Sequence, residues 1–207
     1  MKLIRQAAKA LVKRLGYTCH ATNSLPVGSD LFADLRRLSL EPKDTVFYVG
    51  AHVGHTAAAL RSAYPNVRLY CFEPSPETFK TLGQNCKGKD IIALNMAVGS
   101  SVGIAQMYAA KDSYLNSLVP QLNGPRQEAS QVSIEVTTLD RFCEERGVER
   151  IDLLKTDTEG YELEVLKGAT RFLTDQRVSA IYVECAVTRS DRHVSVSDLL
   201  EFLTPFS

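Results

Sequence analysis

The stretch TVFYVGAHVGHTAAALRSAYPNVRLYCFEP, residues 45–74, decides the fold. Thr45 to Val49 is an apolar run of strand length, and Gly50 to Gly54 is a glycine-containing turn. His55 to Tyr64 has helical spacing and is stopped by Pro65, whose ring cannot continue a helix. Val67 to Phe72 is a second apolar run, and it delivers a single carboxylate, Glu73. Strand, turn, helix, strand and terminal acid make the first half of a nucleotide-binding βαβ unit, with the acid about 20 residues beyond the first glycine. A ribose presents two neighbouring hydroxyls, and one carboxylate can accept hydrogen bonds from both.

The turn also discriminates between nucleotides. A pyrophosphate-binding turn is G-x-G-x-x-G, so that backbone and helix can approach the phosphates. Here the second and third glycine places are His52 and His55, and the pattern is G-x-x-x-G, with Gly50 for the turn and Gly54 where the helix begins. That favours a nucleoside cofactor without a diphosphate.

Downstream the alternation continues. Ser75-Pro76 is a helix start, with Ser as N-cap and Pro at the first position, and the helix runs to about Cys86. Ile91 to Leu94 is a third strand, followed by Asn95-Met96-Ala97-Val98-Gly99. Two strand-like pieces, Ile104 to Ala109 and Val132 to Thr137, flank a polar stretch from Lys111 to Ser130, which predicts a hairpin-like insertion with a long loop. Thr137-x-x-Asp140 has the form of a capping box for a helix over Leu139 to Arg146, closed by Gly147. Ile151 to Thr156 is a fourth strand, apolar enough to be buried on both faces of a parallel sheet. It ends in Asp157-Thr158-Glu159-Gly160, and a helix follows from Tyr161 to about Lys167. Val178 to Val183 is a fifth strand ending in Glu184, and Asp198 to Leu203 a last short helix.

Upstream, Met1 to Leu15 has helical spacing with a basic face and no acid. Such a helix either lies on an anionic membrane surface or docks on its own domain, and the second is the simpler expectation. Gly16 ends it, Tyr17 to Asp30 reads as a surface loop, and Leu31 to Leu38 as a short helix. The expected organisation is a helical extension over 1–40 and one α/β domain over 41–207.

Composition narrows the classes. Lys+Arg and Asp+Glu are both 24 in 207 residues, so no overall field favours nucleic acid as a partner. Five cysteines (Cys19, Cys71, Cys86, Cys143, Cys185) are scattered without C-x-x-C spacing. Cys71 and Cys185 sit in apolar runs and read as small core residues in a reducing compartment. No run approaches the roughly 18 apolar residues that span a bilayer, and charges interrupt the first segment throughout, unlike a secretory signal. A cytoplasmic protein is the expectation.

Ligands of parallel α/β sheets bind at the carboxyl ends of the strands. Those ends carry Gly50 to Gly54, Glu73, Asn95 to Val98, Asp157 to Glu159 and Glu184. Several acids around one crevice suit a ligand with positive charge as well as hydroxyls, and S-adenosylmethionine has a sulfonium, an ammonium and a ribose diol.

The segments YVGAHVGHT, CFEP, NMAVG, TTLD and IDLLKTDTEGYELEVLKGA, in this order, resemble the signature of the FkbM-type methyltransferases, over about Thr45 to Glu184. The resemblance implies a Rossmann-like class I methyltransferase fold, its mainly parallel sheet in the order 3-2-1-4-5, carrying a β insertion and lacking the family's last C-terminal strands. It implies S-adenosylmethionine-dependent O-methyl transfer to a hydroxylated small molecule or sugar. Gly50, Ala51, His52, Gly54, Thr56, Glu73 and Pro74 would then line the cofactor pocket. Asn95, Ala97 and Val98 would pass near the adenine, and Asp157 and Glu159 would sit near the methyl group and acceptor. Tyr48 departs from the family's usual Asp at the end of the first strand, and His52 from its usual Asn.

Methyl transfer requires an acceptor oxygen held in line with the departing sulfur, and an alcohol acceptor also needs a base. Asp157 is the first choice, with Glu159, Glu184 and His193 behind it; each also has a bland role as a helix-start carboxylate or salt-bridge partner. Asp157 and Glu184 could share a divalent metal, but without clear further ligands no metal site is assigned. His52 and His55 read as turn and helix-start positions, and Lys155 as the structural partner of a neighbouring group. Two alternatives stay open: a methyltransferase-like binding protein, motivated by Tyr48 and the short C-terminus, and an NAD-dependent oxidoreductase.

Overall fold

The computed structural model describes residues 25–109, 117–118, 130–188 and 193–206, together with Val12 and Arg14. Most of the expected N-terminal helix and most of the long insertion loop lie outside the described residues. The chain falls into two compact units, divided between Glu41 and Pro42.

In the first unit, α1 (Leu31–Arg37) begins at Asp30, whose side chain accepts the Ala33 N–H. Asp34, almost fully buried, accepts the Gly28 N–H at 2.7 Å and so ties the preceding turn to the helix.

The second unit alternates strand and helix. It begins with β1 (Thr45–Val49), α2 (His55–Ala63), β2 (Arg68–Phe72), α3 (Pro76–Cys86) and β3 (Ile92–Leu94). Three strands of the insertion follow: β4 (Ala97–Val98), β5 (Gly103–Ala109) and β6 (Ser130–Thr137). It then returns through α4 (Leu139–Arg146), β7 (Leu153–Thr156), α5 (Glu162–Lys167) and α6 (Thr170–Thr174) to β8 (Ile181–Val183) and α7 (Val196–Leu203). Five strands form a parallel sheet in the order β3-β2-β1-β7-β8, which is the 3-2-1-4-5 order read from the sequence. The insertion makes a second sheet, β4-β6-β5, in which β5 and β6 pair antiparallel from Gly103↔Val136 to Ala109↔Ser130.

All five residues of β1 are buried, as a central parallel strand covered on both faces requires. Its Phe47 ring meets Tyr70, Phe72 and Phe142 edge to face, with centroids 5.0, 5.7 and 5.7 Å away. Aromatic edges pointing at aromatic faces are a favoured packing, and this cluster ties α4 to the sheet.

Several local expectations are corrected. The cap of α4 is Thr138, which accepts the Arg141 N–H at 3.1 Å, so the box starts one residue later than Thr137. Asp140 instead accepts the Arg171 and Phe172 N–H groups at 2.8 and 3.1 Å, satisfying donors at the start of α6, a helix the sequence reading missed. The fifth strand is shorter than Val178 to Val183: Val178 bridges Ile151 alone, and regular pairing starts at Ile181. Because β8 ends at Val183, Cys185 is exposed and not a core residue, whereas Cys71, Cys86 and Cys143 are buried free thiols. Among the described residues, no helix is long and apolar enough to cross a membrane.

Candidate active site

The turn after β1 is drawn tight against two neighbouring strands. The N–H groups of Gly50 and Ala51 both donate to the Phe72 carbonyl, at 3.0 and 2.9 Å, while Asp157 N–H donates to the Val49 carbonyl at 3.0 Å. Gly50 has φ 84°, and a Cβ built on it would stand 1.8 Å from the Asp157 carbonyl oxygen, so any side chain here would push β1 and β7 apart. The required residue is therefore glycine on two independent grounds.

Glu73 is the hinge between this turn and the next. Its Oε2 accepts the His52 N–H at 2.9 Å and its Oε1 accepts the Ser75 N–H at 2.9 Å. His52 presents its N–H by adopting a left-handed backbone, φ 49°. The histidine at the second glycine place thus serves through its main chain, and that N–H is committed to a carboxylate instead of a phosphate. Burial pushes the Glu73 carboxyl up to about 7, against the pull of the two N–H donors. Each carboxylate oxygen retains a second lone pair for a ligand hydroxyl.

Glu73 and Pro74 border a cleft of about 240 Å³. Its floor is the run from Tyr48 to Thr56, and Met96, Ala97, Val98, Met107 and Leu118 give it an apolar wall. Ser117, Asp157, Thr158, Glu159 and Tyr161 close the remaining side. Of the residues singled out from the sequence, Gly50, Ala51, His52, Gly54, Thr56, Glu73, Pro74, Ala97, Val98, Asp157 and Glu159 line it together. Asn95 does not: its amide donates to the Glu73 and Pro74 carbonyls at 2.9 and 3.0 Å and steadies the acid-bearing loop from behind. Glu184 also stands outside the lining, beside Asp157 at the end of the adjacent strand, its N–H donating to the Thr156 carbonyl at 3.1 Å.

The Asp157 end has its own scaffold. Lys155, two residues back on β7 and so on the same face, is nearly buried; its Nζ lies 2.7 Å from Asp157 Oδ2 and 4.2 Å from the Tyr48 ring centroid. Tyr48 pairs with Lys155 across the β1–β7 ladder, so the ammonium touches both the ring and the carboxylate. Burial raises the Tyr48 phenol above its ordinary range, so it acts here as a neutral ring and hydroxyl. Glu162, fully buried at the start of α5, folds the following turn: its Oε1 accepts the N–H and hydroxyl of Thr158 and the N–H of Gly160, at 2.8, 3.0 and 3.2 Å. The insertion reaches the same turn, because the Ser117 hydroxyl donates to the Glu159 carbonyl at 2.8 Å.

Met107, Ser117, Leu118, Tyr161 and Glu162 were not picked out from the sequence. Glu162 carried a readable signal, an acid two residues after the glycine of a tight turn. The others carried none, since apolar and hydroxyl residues of an insertion look alike whether they face a cleft or a core. Among the described residues, no group of three or more His, Cys, Asp or Glu side chains is placed to hold a metal ion.

The family model described as the methyltransferase FkbM domain matches residues 49–205. The chain belongs to the FkbM methyltransferase family. It is 33% identical over 158 residues to hexuronic acid methyltransferase AglP of Haloferax volcanii, covering 73% of this chain and 61% of that protein. It is 27% identical over 176 residues to 2-O-methyltransferase NoeI of Sinorhizobium fredii, covering 79% of this chain and 70% of the relative. With 31-O-demethyl-FK506 methyltransferase FkbM of Streptomyces tacrolimicus it shares 26% identity over 159 residues, 63% of this chain and 61% of that one. The chain thus spans between three-fifths and seven-tenths of the length of these relatives. No solved structure matches it significantly.

Proposed function

We propose that this chain is a methyltransferase that moves the methyl group of S-adenosylmethionine to a hydroxyl of a small molecule or sugar. The observation that carries the reading is Glu73, nearly buried, its two oxygens each fixed by one backbone N–H and each still able to accept from a ribose hydroxyl. The donor set fits the cofactor: Glu73 as the acceptor for a diol, the apolar residues Met96 to Val98, Met107 and Leu118 for a base, and Asp157 for a cationic group, all lining one cleft. The names of the relatives, which specify a hexuronic acid, a 2-O position and a 31-O position, support hydroxyl acceptors.

When bound, the cofactor supplies a methyl group made electrophilic by a sulfonium. The chain does the rest by holding and orienting. Glu73 grips the ribose, the apolar wall excludes water from the base, and the Asp157 carboxylate, fixed by Lys155, offers its charge at the methionine end. A nicotinamide dinucleotide fits poorly, because the His52 N–H that would face a phosphate is bonded to Glu73. Methyl transfer would take place beside Asp157, with Glu159 in the same lining and Glu184 next to Asp157 outside it.

Calorimetric titration with S-adenosylhomocysteine tests the reading. Saturable heat together with a thermal shift is the expected result, and NAD should give neither. Absence of both with S-adenosylhomocysteine overturns it. Incubating the protein with S-adenosylmethionine and cell extract, followed by mass spectrometry, then identifies the methylated acceptor.

A further inference from the structure

The methyl-transfer reading leaves one chemical task unassigned: an alcohol that gains a methyl group must lose a proton. Three carboxylates stand near the mouth, and their surroundings differ. Asp157 has an oxygen fixed 2.7 Å from the nearly buried Lys155 ammonium, so its charge has a partner built into the sheet. Glu184 follows β8 in register with Asp157, one position beyond the Thr156↔Val183 pair, and adjacent strands lie about 4.8 Å apart, which brings the two carboxyls into hydrogen-bonding contact. Among the described residues, the groups facing Glu184 are Asp157 from the end of β7, Glu159 and Glu162 from the turn and α5, Cys185 beside it, and His193 from the segment before α7. Of these only His193 can carry positive charge, and its Nδ1 is 3.9 Å from Glu184 Oε2. Glu184 does not line the cofactor cleft, and its side chain is 43% exposed. It therefore stands at the edge of the cleft, in contact with Asp157, which lines it, and open to solvent on its other side.

We propose that Glu184 is the catalytic base, taking the proton of the acceptor hydroxyl while Asp157 remains the charged neighbour that Lys155 holds in place. The balance is complete with the groups named. The acceptor oxygen forms a bond to the methyl carbon, and the carbon–sulfur bond breaks with its electron pair going to sulfur. The hydroxyl proton passes to the Glu184 carboxylate and leaves from its exposed side to solvent. Burial, the contact with Asp157, and the charges of Asp157, Glu159 and Glu162 push the Glu184 carboxyl up to about 7. A base poised there is ionised in good part at neutral pH and holds a proton far better than an ordinary carboxylate.

The test needs no acceptor. Sinefungin carries an ammonium where the transferable methyl group sits, and S-adenosylhomocysteine carries nothing there. The ratio of their affinities therefore reports charge beside the methyl position, and any effect of Glu73 on the shared ribose cancels. In the wild-type protein sinefungin should gain on S-adenosylhomocysteine by about tenfold between about pH 6 and pH 8, as Glu184 ionises next to the ammonium. Glu184→Gln should bind S-adenosylhomocysteine within about twofold of wild type and lose this pH dependence. Asp157→Asn should move the rise to lower pH, because the neighbouring negative charge is gone. A flat ratio in the wild type, an unchanged slope in Glu184→Gln, or an unmoved midpoint in Asp157→Asn each overturns the assignment. If neither ligand binds the wild-type protein, the methyl-transfer reading itself falls.

Discussion

His52 donates its main-chain N–H to Glu73 Oε2 at 2.9 Å, so the turn after β1 and the acid after β2 are a single unit. The turn sets the carboxylate's orientation, and the carboxylate completes the turn's hydrogen bonding. A change at Glu73 should therefore act on ligand binding and on the turn together. Glu73→Gln keeps the side-chain shape and one acceptor oxygen but turns its NH2 group on the other N–H donor, whereas Glu73→Ala leaves both the His52 and Ser75 N–H groups without their partner. Loss of S-adenosylhomocysteine affinity is expected at about 1–3 kcal/mol for either variant, the scale of hydrogen bonds to a charged group. The Ala variant, which loses both acceptors, should lower the melting temperature more than the Gln variant, which loses one. Calorimetry and thermal melts separate the two effects, and unchanged affinity in both variants would remove Glu73 from the binding site.

The same residue makes binding and stability run in opposite directions with pH. Burial raises Glu73 from the usual 4.5 to about 7 in the folded protein. Between those values the folded state keeps a proton that the unfolded state has released. Stability from this group is thus fully present below about 4.5 and is lost as pH rises towards 7, by roughly 3 kcal/mol at most. Ribose binding favours the ionised form and should strengthen over the same range. Denaturant melts of the ligand-free protein between about pH 5 and pH 8 should show this decline, and Glu73→Gln should flatten it. A wild-type curve that rises steadily with pH would contradict the burial argument.

The sheet order was readable because each parallel strand is an apolar run closed by a glycine, an acid or, after Leu94, an asparagine, and residues 45–74 fix the first crossover. The cleft was readable for the same reason, since strand ends deliver Gly50, Glu73 and Asp157 to one edge. Two kinds of feature were hidden. Asn95 looked like a ligand-facing residue, yet its amide turns back to the carbonyls of Glu73 and Pro74, a choice that depends on the path of a neighbouring loop. Met107, Ser117 and Leu118 reach the cleft because the β5–β6 hairpin folds across it, and pairing registers between distant segments leave no local pattern.

Gly50→Ala should be far more damaging than Gly54→Ala, although both glycines have positive φ, 84° and 88°. A Cβ at Gly50 would meet the Asp157 carbonyl oxygen at 1.8 Å, and backbone on both sides cannot yield without separating β1 from β7. At Gly54 the nearest atom is the end of the Leu82 side chain at 2.6 Å, which can rotate away. Expected losses of stability are more than about 4 kcal/mol at Gly50 and about 1–2 kcal/mol at Gly54. Equal melting temperatures for the two variants would mean that the strand ends are not as close as described.

Glu162 offers the sharpest separation of architecture from chemistry, because it shapes the Asp157–Gly160 turn without lining the cleft. One of its oxygens accepts three hydrogen bonds, from the Thr158 N–H, the Thr158 hydroxyl and the Gly160 N–H. Removing the carboxylate leaves those donors without their acceptor in a half-buried turn, at a cost of about 2–4 kcal/mol. The turn also carries Glu159 in a left-handed conformation, φ 55°, and accepts the Ser117 hydroxyl from the insertion. Glu162→Ala should therefore destabilise the protein and loosen the insertion's hold on the turn, detectable as faster amide exchange at Ser117 and Gly160. S-adenosylhomocysteine should still protect the Gly50–Gly54 turn from exchange, since that turn is held by the Phe72 carbonyl and by Glu73 and not by Glu162. Loss of protection there as well would mean that the two ends of the site fold as one cooperative unit and that Glu162 supports both.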